Sequence, residues 1–100
     1  MRDLKMYILC RRDLGAVYGL VQGSHALAEY LLNHKTNWLN GTIVALGVNH
    51  EDALRTWHDR LKDAGVKFSA FYEPDLGGQM TALACVLEDG SIFKKLNLMR

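Results

Sequence analysis

An α/β fold is predicted by three observations: apolar runs of strand length alternate with helical patterns, the helical segments separate the first three strands, and turn residues bound most of the runs. The order strand, helix, strand, helix, strand, strand predicts helices covering a mostly buried mixed sheet. One hundred residues are enough for one domain and one core, spanning 1–100.

KMYILC is short, apolar and β-prone, and the charged Arg11, Arg12 and Asp13 close it, so it reads as a buried strand. Gly15 and Gly19 bracket a turn or a loose first helical turn, after which a helix runs to about Asn33. Apolar or small residues at 20, 21, 24, 27, 28, 31 and 32 give that helix a stripe expected to face the core, with the other face polar. TIVALGV is a second interior strand. HEDALRTWHDRLKDAG is the clearest helix: Ala53, Leu54, Trp57, Leu61 and Ala64 form its stripe, acidic residues open it and Gly65 closes it.

VKFSAFY alternates as a third strand, residues 73–79 form a loop around the single proline, and MTALACVL is a fourth strand. Asp89-Gly90 between strand-like runs is a favoured hairpin turn. Residues 88–100 are therefore expected to be a hairpin or tail extension, with a short fifth strand near Ser91 to Leu96.

Twelve Lys and Arg against eleven Asp and Glu leave a net charge of +1, with the signs interspersed. General nucleic-acid binding is disfavoured by that balance, and any such binding must come from a local patch. A 49% hydrophobic composition argues for an ordered globular domain. Cys10 and Cys85 each sit in an apolar run, so buried free thiols and a reduced, cytoplasmic setting are expected. The apolar run Met6–Cys10 is too short for a signal peptide and MTALACVL too short for a membrane span, so a soluble chain with no membrane partner is expected.

Loops leaving the carboxyl ends of parallel strands build sites in such sheets, which makes Arg11 to Gly19 the leading candidate wall. The helix that follows opens with VQGSHALAEYLL, and its Gln, Gly, Ser and His are weaker helix formers than the Leu and Ala beyond them. Gln22, His25 and Glu29 share one helical stripe. One reading has Gln22 and His25 lining a pocket floor; the other has Ser24 bonding locally and His25 held by Glu29 or a carbonyl. Cys10 with His25 and Asp75 forms a nominal thiol triad, but a cysteine inside a strand is expected to be packed. The histidines at 25, 34, 50 and 58 show no ligand spacing except His50 to His58, two turns apart on a helix, and no metal site is expected.

A strand ending in CRRDL, then VQGSHALAEYLL, a charged helix and FYEPDLGGQMTALA, in that order across residues 5 to 87, resembles the class II peptidyl-tRNA hydrolase family. The resemblance implies a three-layer α/β/α sandwich on a mixed four-stranded sheet, usually as a homodimer, and cleavage of the peptide–tRNA ester without metal or cofactor; the apolar tail SIFKKLNLM and the two tryptophans separately predict a homodimer or higher oligomer. It places Arg11, Asp13, Gln22, His25, Asp75 and Gln79 on matching positions, and Thr81 less closely. Asp75 becomes the candidate base or water-orienting group, with His25 beside it as the second catalytic candidate. Gln22 and Gln79 become positioning groups, and Arg11 and Arg12 phosphate ligands, with Asp13, Tyr18 and Thr81 completing the ligand-binding set.

The chain also departs from that pattern. Its GAVYGLV segment is shorter than the family's glycine-rich loop and has Tyr18 or a neighbour where the family carries a lysine, and the threonine usual before Gln79 is missing. Ester cleavage needs an activated water and stabilisation of a developing oxyanion. Losing a cation leaves two expectations: a divergent hydrolase acting on a tRNA-linked substrate, or a non-catalytic oligomeric protein that sequesters a small nucleotide-type ligand.

Overall fold

The computed structural model describes residues 3–100. The elements follow in the order β1 (Lys5–Arg11), α1 (Ala16–Asn33), β2 (Ile43–Val48), α2 (Glu51–Asp63), β3 (Phe68–Glu73) and β4 (Gln79–Leu87). Short 3-10 turns lie at Arg12–Leu14, Pro74–Leu76 and Ser91–Phe93. One mixed sheet has the order β2-β1-β4-β3, with β1 parallel to β2, and β4 antiparallel to both β1 and β3. Two helices cover it on opposite faces, which is the three-layer α/β/α sandwich expected from sequence.

β1 is apolar from Met6 to Cys10 because it is central and covered on both sides. Its alternation divides the core. Met6, Ile8 and Cys10 face α1 together with Ala82 and Ala84, while Tyr7 and Leu9 join Leu46, Val48, Leu83 and Cys85 against Leu54, Trp57 and Leu61 of α2. Burial pushes both thiols, Cys10 and Cys85, up to about 12. Trp38 and Trp57 are both core residues, and Trp38 donates from Nε1 to the Thr42 carbonyl at 2.9 Å.

α2 matches its pattern closely. His50 caps it, its Nδ1 accepting from Ala53 N–H at 3.2 Å; Glu51 and Asp52 occupy the first turn, and Gly65 follows the helix end in the left-handed region. α1 does not match. The residues it buries are Gly19, Gln22, Gly23, Ala26 and Tyr30, so the stripe expected to face the core points mostly outward. The cause is steric. A Cβ on Gly23 would lie 2.7 Å from Cys10 Sγ and 2.9 Å from Ile8 Cδ1, and one on Gly19 would lie 2.9 Å from the Arg11 carbonyl oxygen. Only a face of small residues lets α1 settle this close to the sheet.

The C-terminal segment also differs from expectation. Asp89 Oδ1 accepts from Ser91 N–H at 2.9 Å, and the chain enters a 3-10 turn rather than a fifth strand. Phe93 then packs beside Tyr7 and Trp57, with ring centroids 5.2 Å from each. Further on, the tail reaches the open edge of β2. Gly47 N–H donates to the Asn97 carbonyl at 2.9 Å and Met99 N–H to the Ala45 carbonyl at 2.8 Å, around a single antiparallel bridge between Leu46 and Leu98. A tail that finds hydrogen-bond partners on a free edge has no need of a hairpin.

Candidate functional site

The carboxyl ends of β1, β2 and β3, the start of β4 and the N-termini of both helices meet at one end of the sheet. This end carries three polar arrangements.

The first lies on the α1 face. The β3–β4 register shifts between Phe71, opposite Ala82, and Tyr72, opposite Met80, so that Thr81 has no partner residue in the ladder. Such a bulge re-aims a side chain. Thr81 Oγ1 donates to Gln22 Oε1 at 2.6 Å, and Gln22 Nε2 donates to Glu73 Oε1 at 3.0 Å. The other groups on Glu73 are the Tyr18 hydroxyl, donating at 3.5 Å, and Asp75 N–H, donating at 3.4 Å. Donation from Gln22, chiefly, holds the Glu73 carboxyl below the usual range, with Asp75 N–H, His25 and Tyr18 assisting against desolvation. Tyr18 is shifted up by desolvation and by the charges of Glu73 and Asp75.

The second ties strand ends together. Arg11 is buried and makes a two-pronged pair with Asp13, Nε to Oδ1 at 3.0 Å and Nη2 to Oδ2 at 2.7 Å. Its Nη1 donates to Gln79 Oε1 at 2.9 Å and to the Met80 carbonyl at 3.1 Å. The hydrogen bond from Arg11 is the main cause lowering the Asp13 carboxyl. Glu51, at the start of α2, accepts from Met80 N–H at 2.8 Å and pairs with Arg55; the Met80 bond leads in holding its carboxyl low.

The third is a pocket of about 230 Å³ between the end of β2, α2 and the C-terminal tail. Arg12, Asn49, Lys95 and Asn97 supply its polar wall, and Val48, Ala53, Trp57 and Leu96 its apolar one. The Arg12 guanidinium lies against Gly47, where a Cβ would sit 2.6 Å from Nη2. Its Nη2 also donates to the tail carbonyls of Leu98, at 3.0 Å, and Asn97, at 3.4 Å. The lining contains two cations and no carboxylate.

Of the residues singled out in the sequence, Gln22, Thr81 and Tyr18 come together around Glu73, and Arg11, Asp13 and Gln79 form a separate cluster. Arg12 belongs to the pocket. Asp75 and His25 are both exposed, with no hydrogen bond joining them; the His25 ring stacks on Phe71 at 4.5 Å. Glu73, Lys95, Asn97 and Trp57 were not anticipated as site residues. Glu73 could have been found from its place at the end of β3 beside the Pro-Asp-Leu turn, but the pocket joins segments far apart in sequence.

Chemically, the α1-side cluster has its donors and acceptors already committed to one another around an anionic carboxylate, while the pocket is lined by two cations and no carboxylate. Among the described residues, no helix is long and apolar enough to cross a membrane. No family model matches the chain, and no curated protein matches it either. Among solved structures, the chain is similar to the protein of unknown function Atu0240 from Agrobacterium tumefaciens str. C58, with 15% identity, a TM-score of 0.70 and all of both chains covered, a likeness of fold.

Proposed function

We propose that this chain is a binding module for a small anionic ligand of the nucleotide or phosphate-ester class, seated in the pocket between β2, α2 and the tail. One observation carries the reading: the pocket gathers Arg12 and Lys95 with Asn49 and Asn97 and has no carboxylate in its lining. Two cations with no opposing carboxylate match a phosphate. The apolar wall suits the less polar part of such a ligand.

The esterase reading draws support from the order of motifs along residues 5 to 87 and from the exposure of Asp75 and His25. It meets opposition where the resemblance would seat a phosphate. Arg11 is already taken up by Asp13, Gln79 and the Met80 carbonyl, and Glu73 places negative charge among the matching residues. A tRNA backbone also calls for several clustered cations, whereas a single phosphate is satisfied by two.

Titration calorimetry with adenosine monophosphate, ribose 5-phosphate and inorganic phosphate tests the proposal, run in parallel with peptidyl-tRNA turnover. Saturable binding weakened about tenfold or more by Lys95→Glu, and weakened by added salt, is the expected result. Turnover of peptidyl-tRNA that Asp75→Asn abolishes would establish the hydrolase instead. Absence of binding by all three probes would remove the pocket from consideration.

A further inference from the structure

The C-terminal tail passes around the outer edge of β2 from one face of the sheet to the other. Phe93 and Leu96 pack with the core on the α2 side, whereas Met99 packs with the core on the α1 side, its Cε 2.6 Å from where a Cβ on Gly19 would lie. Between these anchors the chain is held lightly. Gly47 N–H to the Asn97 carbonyl, Met99 N–H to the Ala45 carbonyl and the single Leu46–Leu98 bridge are its backbone ties to β2 among the described residues, and Lys94, Lys95, Asn97 and Leu98 are exposed. A segment with so few ties and so little burial opens locally at a small cost in free energy.

We infer, on the reading of the pocket as a phosphate site, that residues 94–99 are a strap clasped by the bound anion, so that occupancy of the pocket decides how firmly the tail covers the edge of β2. The two cations come from opposite walls. Arg12 follows β1, while Lys95 belongs to the tail itself. A tail that lifts away takes Lys95, Leu96 and Asn97 with it, and the pocket then lacks its second cation and one wall. A phosphate held by both cations therefore binds the docked tail in preference to the open one, and by linkage it stabilises docking.

Arg12 is suited to be the clasp. Its Nη2 donates to the Leu98 and Asn97 carbonyls, while among the described residues no acceptor is bonded to its Nε or Nη1. A guanidinium carries five N–H donors in one plane, so it can hold an anion without releasing the tail. Arg12 and Lys95 line the pocket with no carboxylate to offset them. Their mutual repulsion opposes docking, and a bound anion replaces it with attraction to a common centre.

Met99 N–H is the informative reporter, because neither Met99 nor its acceptor Ala45 lines the pocket and a ligand cannot shield the bond directly. Hydrogen exchange of the full chain is followed residue by residue by NMR, with inorganic phosphate or ribose 5-phosphate at about ten times the dissociation constant found by calorimetry. Exchange at Met99 should slow about tenfold, since protection scales as one plus the ratio of ligand to dissociation constant. His34 N–H, at the far end of α1, should not change, and sodium chloride at matched ionic strength should give no protection. Met99→Ala removes an anchor outside the pocket and should speed exchange of Gly47 N–H in the ligand-free protein about tenfold. A probe that binds by calorimetry yet leaves Met99 exchange unchanged overturns the strap and leaves the pocket standing. Probes that do not bind at all overturn both. Exchange at Gly47 in Met99→Ala at the wild-type rate overturns the strap as well, since Met99 would then not be holding the tail.

Discussion

Thr81 and Gln22 form a 2.6 Å hydrogen bond between two fully buried side chains, one on a β-bulge and the other on the helix packed over it. The bond joins α1 to β4, and the second end of the Gln22 amide extends the link to Glu73 on β3.

Truncating Thr81 leaves the buried Gln22 Oε1 with an unmade hydrogen bond, and truncating Gln22 leaves the Thr81 hydroxyl only the longer 3.3 Å contact to the Phe71 carbonyl while taking a donor from Glu73; each loss costs about 1–3 kcal/mol. Gln22→Ala and Thr81→Val are therefore expected to lower stability by that order, measured by urea unfolding. The pair Gln22→Leu with Thr81→Val should cost less than the sum of the single changes, since both polar groups are then gone. Ligand binding by the folded fraction should be unchanged, the reverse of what a pocket-floor role for Gln22 predicts.

Acid should destabilise the fold through Glu73, Asp13 and Glu51. All three carboxyls titrate below their ordinary values in the folded chain, so the unfolded chain binds more protons as the pH drops through the carboxylate range. Their contribution is fully present above the unfolded values, and it is lost as the pH falls through the folded ones. Urea midpoints should be flat near neutrality and decline below about pH 5. Glu73→Gln should lower the midpoint at neutral pH and flatten the decline, with the two curves converging in acid.

Arg11 and Arg12 adjoin in sequence but are separated in role. Arg11→Ala removes the partner of the buried Met80 carbonyl and should cost about 1–3 kcal/mol of stability. Arg12→Ala should leave stability closer to wild type while abolishing anion binding in the pocket. Gly47→Ala offers an independent check. Its added methyl displaces the flexible guanidinium rather than backbone, so calorimetry should register weaker phosphate binding at a nearly unchanged melting temperature.

Removing residues 97–100 should leave the core intact, because Phe93 stays, yet it frees Gly47 N–H and the Ala45 carbonyl on the edge of β2. An uncovered edge is a template for strand pairing between chains. Light scattering should rise on storage, and the truncated chain should bind phosphate less well for want of Asn97. Removal of 91–100 should go further and unfold the domain, with Phe93 lost from between Tyr7 and Trp57.

The strands and α2 were legible because each declares itself locally. β1 contains the unbroken apolar run Met6–Cys10, and α2 carries an acidic opening, a clean stripe and a closing glycine. α1 misled because its apolar stripe is real but lies outside, while its buried side is marked by Gly19, Gly23 and Ala26, residues whose value is their small size. The spacing of Gly19, Gly23 and Ala26 was the available sign that this side lies against the sheet. Among the site residues, Gln22 drew attention as a weak helix former opening an amphipathic helix and Thr81 through the family resemblance, and the fold does place them together. The pocket could not be read because Arg12, Trp57 and Lys95 meet only after the tail has crossed to β2.

β1, formed by the first residues of the domain, lies between β2 and β4, and its pairing with β4 sets Lys5 opposite Leu87. The strand nearest the start of the chain thus waits for the strand nearest its end. Contacts so distant in sequence slow folding, since a long loop must close before they contribute. On a ribosome, β1 can meet β2 and be covered by α1 early, but its other edge stays open until residue 87 has been made. The sheet therefore closes in one late step, and a nascent chain halted before β4 holds an apolar central strand with an open side, a target for chaperones or for a neighbouring nascent chain.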